Sequence, residues 1–74
     1  MTEPAKDDAI TWCGLGLVYY KKGDYDRAIA DFNEAIRLKP DLAEAYYNRG
    51  LAYDEIGEDT KAKADREMCE KLKK

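Results

Sequence analysis

The chain contains no histidine and no serine. Without them there is no Ser-His-Asp triad, no Cys-His nucleophile pair and no imidazole-based metal site. Cysteine is scarce: Cys13 and Cys69 stand far apart, with no C-x-x-C spacing. That usage argues against a disulfide framework and suits a reduced, cytoplasmic setting, with each thiol a small apolar filler at a helix interface. No apolar run approaches the ~20 residues of a membrane span. The opening residues, Met1 to Asp8, are polar and acidic, unlike a secretory leader. A glycine-rich phosphate loop is missing, and no alternating β-branched run predicts a strand. The acidic pairs Asp7/Asp8, Asp24/Asp26 and Asp54/Glu55 fall at helix starts or solvated faces. The sequence therefore predicts a non-catalytic chain that uses no cofactor and no metal.

What is present is 45% apolar and 39% charged residues in a chain of 74, room for one domain. A core of this size rarely supplies more than roughly 3–5 kcal/mol of net stability. The net charge of −3 is unevenly spread, with six Lys/Arg against three Asp/Glu in residues 61–74. Lys71, Lys73 and Lys74 complement the dipole at the end of a helix, and the basic residues alternate with Asp65, Glu67 and Glu70. Neither nucleic acid nor a membrane is an expected partner.

A period of 34 residues organises the whole chain. Under that shift Trp12 falls on Tyr46, Gly16 on Gly50, Tyr19 on Tyr53, Gly23 on Gly57 and Ala28 on Ala62. Such a period marks a solenoid whose units stack on one another. Four helices are predicted. The first spans about Asp7 to Lys22, with Trp12, Leu15, Gly16 and Tyr19 on one face and Gly23 as its stop. Asp24 caps the second, about Tyr25 to Leu38, whose buried stripe is Ala28, Ile29, Phe32, Ala35 and Ile36. Asp41, with Glu44, is expected to cap the third, which runs to about Ile56 with Tyr46, Gly50 and Tyr53 inward. Asp59 or Thr60 is expected to cap the fourth, which reaches about Leu72 and carries Ala62, Ala64, Met68, Cys69 and Leu72. Gly16 and Gly50, mid-helix, each cost roughly 1 kcal/mol relative to Ala. Their recurrence points to close approach of the paired helix, at Ala28 and Ala62.

The set Trp12, Leu15, Gly16, Tyr19, Ala28, Phe32, Ala35 and Pro40 resembles the tetratricopeptide repeat, a helix–turn–helix unit of 34 residues. After an N-terminal segment (1–8), the first unit is read as 9–42. The second, 43–74, matches through Tyr46, Asn48, Gly50, Ala52, Tyr53, Gly57 and Ala62. The resemblance implies an all-α fold, a right-handed superhelix of two repeats with four antiparallel helices. It also implies a non-catalytic module that binds proteins or peptides in a concave groove. Late in the second unit Asp59, Arg66, Cys69 and Lys74 replace the counterparts of Tyr25, Phe32, Ala35 and Pro40. A charged last helix of that kind serves as a solvent-facing cap.

By the same resemblance the groove is lined by Ile10, Cys13, Gly14, Leu17, Tyr20 and Lys21 of the first helix. The third contributes Glu44, Tyr47, Asn48, Leu51, Asp54 and Glu55. Cys13 with Leu17, and Tyr47 with Leu51, form an apolar strip on a face that the core stripe does not use. Some family members clamp a terminal carboxylate with Lys, Arg and Asn, but only Asn48 stands at a matching place, so that ligand is not expected. The expected partner is a protein or peptide with apolar anchors and some basic residues. The alternative is a self-assembling unit that pairs the same strip into a homo-oligomer, since two repeats are fewer than the usual three.

Overall fold

The computed structural model describes residues 8–74, which form four α-helices and no strand. They are α1 (Ala9–Lys21), α2 (Tyr25–Leu38), α3 (Ala43–Glu55) and α4 (Asp59–Lys73). Each helix packs on the next, and α1 also touches α3. The fold is thus two helix hairpins stacked through α2 and α3, as the 34-residue period requires.

The turns within the hairpins are built identically. Gly23 has φ +84° and Gly57 φ +81°, a region that a Cβ disfavours. Gly23 N–H donates to the Tyr20 carbonyl at 3.0 Å and Asp24 N–H to that of Tyr19 at 2.9 Å. Gly57 donates to Asp54 at 3.1 Å and Glu58 to Tyr53 at 2.9 Å. Both are Schellman motifs, which satisfy the last carbonyls of the first helix and aim the chain into the second. Gly57→Ala is expected to cost about 1–2 kcal/mol, the penalty of a left-handed L-residue. Thermal unfolding followed by circular dichroism measures it.

The caps agree with the sequence in one hairpin and differ elsewhere. Asp24 accepts from Arg27 N–H, as expected, and α2 has the expected bounds. Asp8 caps α1 by accepting from Thr11 N–H at 3.0 Å; the start expected at Asp7 lies outside the described residues. Asp41 does not cap α3. Leu42 N–H bonds to the Lys39 carbonyl at 3.1 Å, which holds Pro40 and Asp41 in a tight turn. Leu42 packs on the core and becomes the N-cap residue, without a side-chain bond. Burying a leucine here wins over the carboxylate cap. Glu58, rather than Asp59 or Thr60, precedes α4, because the Schellman turn fixes that register.

The core is made of small residues around one ring. Ala9, Cys13, Ala28, Phe32, Ala35 and Ala45 form a buried cluster. Trp12, Tyr19 and Ile36 lie half-buried against it. Gly16 is needed by Phe32 rather than by Ala28: a Cβ there would stand 2.6 Å from the ring carbon Cε1. At Gly50 the close neighbours are the Asp65 Cβ at 3.2 Å and the Ala62 carbonyl at 3.3 Å. The residues that α4 carries divide between core and solvent. Ala62 and Cys69 are buried, but Ala64 and Met68 are exposed, and Asp65 takes the inward place between them.

Asp65 is only 3% exposed. Its carboxylate accepts from Arg49 Nε at 2.9 Å and from Arg49 Nη2 at 2.7 Å. The same guanidinium donates to Asn33 Oδ1 at 2.8 Å and lies over the rings of Tyr46 and Tyr53 at 5.4 and 5.7 Å. One side chain therefore ties α3 to both α2 and α4. Arg66, by contrast, is half exposed and pairs with Asp54 at 2.7 Å across α3 and α4. Exposed pairs contribute little, so Arg66→Ala should change stability by less than about 1 kcal/mol. A urea melt checks this.

Candidate functional site

The two first helices, α1 and α3, run side by side and carry the residues that sequence reasoning assigned to a groove. The structure sorts those residues into three groups. Cys13 and Asn48 are buried, with Asn48 Nδ2 donating to Cys13 Sγ at 3.6 Å. They seal the seam between the helices and are not open to a ligand, a correction to the sequence expectation. Burial raises the Cys13 thiol pKa, Asn48 opposes that shift and the Glu44 charge adds to it. The thiol therefore stays protonated and unreactive.

Leu17, Tyr20 and Leu51 are half-buried. Leu17 and Tyr20 also pack on the core cluster. Sequence reasoning gave Cys13 and Leu17 no intramolecular partner; in fact both belong to the seam and core, with Leu17 keeping one side exposed. Leu17→Asp is therefore a folding variant as much as a binding variant.

Ile10, Lys21, Glu44, Tyr47, Asp54 and Glu55 are exposed, Ile10 at 66% and Tyr47 at 48%. Gly14 is exposed as well. Tyr20 stacks edge-on against Tyr25, with ring centroids 5.5 Å apart. Its hydroxyl pKa is raised by burial first, then by the charges of Glu55 and Asp54, with Tyr25 and Tyr47 adding. Asp54 and Glu55 stand at the C-terminal end of α3, and Tyr19 and Tyr20 near that of α1. The face thus offers exposed or half-exposed apolar surface at Ile10, Leu17, Tyr47 and Leu51. Beside it Glu44, Asp54 and Glu55 supply negative charge. Asp54 is shared with Arg66.

A depression of about 350 Å³ adjoins this face between α3 and α4, lined by Tyr47, Cys69, Lys63, Arg66, Glu67, Glu70 and Lys73. Sequence reasoning did not single it out as a site. The 34-residue shift could have found it, because Tyr47, Arg66 and Cys69 are the counterparts of Cys13, Phe32 and Ala35, all of which are buried in the core cluster of the first unit. Among the described residues no group of His, Cys, Asp or Glu could hold a metal ion. Nor is any described helix long and apolar enough to cross a membrane.

Two family profiles match. One is described as TPR repeat, over residues 16–57. The other is described as tetratricopeptide repeat, over residues 43–74. The chain belongs to the tetratricopeptide-repeat family. Its four helices are the two helix–turn–helix units of that family, and Gly16, Gly50, Gly23 and Gly57 occupy the close contacts and turns described above. Among curated proteins, the TPR domain is 42% identical over 61 residues to Protein FlbA of Caulobacter vibrioides. It is 38% identical over 57 residues to the Hsp70-Hsp90 organizing protein of Triticum aestivum. It is 25% identical over 72 residues to the photosystem I assembly protein Ycf3 of Acaryochloris marina. These alignments cover 82%, 77% and 97% of the chain, but 10%, 10% and 43% of the respective relatives. The chain therefore spans less than half of each.

Within the TPR framework Asn48 was the single residue at a carboxylate-clamp place. It is spent on the bond to Cys13 and lies 7% exposed.

Proposed function

We propose that this TPR domain is a non-catalytic protein-interaction module whose α1–α3 face docks a peptide or helix with apolar anchors and Lys or Arg between them. The observation that carries the proposal is the exposed apolar surface of Ile10 and Tyr47 on α1 and α3, together with the exposed carboxylates of Glu44, Asp54 and Glu55 on α3. An ammonium or guanidinium there gains both carboxylate and ring-face attraction. Apolar side chains of the same ligand would cover Ile10, Tyr47 and Leu51, and exposed apolar surface of this kind is typical of interfaces. Lys21 at the rim would help set orientation. The family and a relative named as an Hsp70-Hsp90 organizing protein support a protein partner. The free thiols of Cys13 and Cys69 support a cytoplasmic setting. Homo-oligomerisation through the same strip is the competing outcome, and mass in solution over a concentration series separates the two.

The binding test uses labelled peptides in which Leu or Tyr alternates with Lys, against the same peptides with Glu in place of Lys. The Lys peptides should bind with micromolar Kd and the Glu peptides at least tenfold more weakly. Tyr47→Asp, and Asp54→Lys with Glu55→Lys, should each weaken the Lys peptides at least tenfold without loss of helix content. Equal binding of both peptide sets, or unchanged binding by both variants, overturns the reading.

A further inference from the structure

We draw no further inference here: the strongest candidate, the depression between α3 and α4 lined by Tyr47, Lys63, Arg66, Cys69 and Lys73, is formed in part by the counterparts of first-unit core residues, so that a helix filling it restates the packing of the repeat, and nothing in the structure shows what covers it.

Discussion

Phe32→Ala is expected to lose about 3–5 kcal/mol, the cost of truncating a fully buried aromatic ring. That equals nearly the whole net stability of a core this small. Phe32 is the one large side chain completely buried in the described structure. Around it the cluster consists of Ala9, Cys13, Ala28, Ala35 and Ala45, none of which can expand to fill the space. The glycine at position 16 exists to admit the ring, and losing the ring leaves α1 and α2 with a void at their closest approach. Helical signal at 222 nm should collapse at room temperature or at a much lower urea midpoint. A melting curve unmoved by Phe32→Ala contradicts the packing described here.

The second large effect is expected at Arg49. Arg49→Leu, which copies Leu15 of the first unit, leaves the Asp65 carboxylate 3% exposed with no counter-ion. Breaking a buried pair from one side costs roughly 3–5 kcal/mol. The lower end applies, because the Arg49 side chain itself keeps 19% of its surface in water. Replacing both partners tells the source of the loss. Arg49→Leu with Asp65→Ala should recover most of the stability, since removing both charges also removes the stranded one. A double-mutant cycle by urea unfolding measures this, with a coupling of about 2 kcal/mol or more expected. Additive losses would mean that Arg49 acts through its contacts with Tyr46, Tyr53 and Asn33 rather than through Asp65.

Asp31 is the counterpart of Asp65 under the 34-residue shift, and Leu15 stands at the counterpart of Arg49. Asp31 is half-buried, and burial alone raises its pKa. A raised carboxyl pKa in the folded state means that this group destabilises the fold at neutral pH. The penalty disappears as pH falls through the folded value toward the ordinary 3.8. Asp31→Asn should therefore make the unit slightly more stable at pH 7 and flatten the dependence between neutral and mildly acidic pH. Thermal melts at pH 7 and pH 5 check the sign.

The helices, their pairing and the glycine turns were legible in the sequence because each is written twice. Gly23 and Gly57, or Ala28 and Ala62, gain weight from recurrence at a fixed distance. The places that were misread are those where the copies diverge. Asp65 was passed over because a carboxylate on a helix reads as solvated. Only the Arg49 side chain arriving from α3 makes its burial affordable. Of the small and apolar residues that α4 carries, Ala64 and Met68 are exposed, because the helix period gives the inward place to Asp65. Asp41 lost its capping role to Leu42, a competition between a local hydrogen bond and burial that depends on the neighbouring unit. At the groove, the family resemblance sets Ile10, Tyr47, Asp54 and Glu55 on an open face, and all four are exposed. Cys13 and Asn48 were not separable from them, because the seam between α1 and α3 is tertiary and leaves no mark in one helix.

The proposed docking face is tested most directly by mapping amide chemical shifts of the ¹⁵N-labelled chain during titration with a Leu/Lys peptide. The account expects the largest changes at Ile10, Leu17, Tyr20, Tyr47, Leu51 and Glu55. Lys61 and Lys71, exposed on α4 outside that face, should stay fixed. Shifts confined to α4, or a bound peptide that leaves α1 and α3 unmoved, would contradict it.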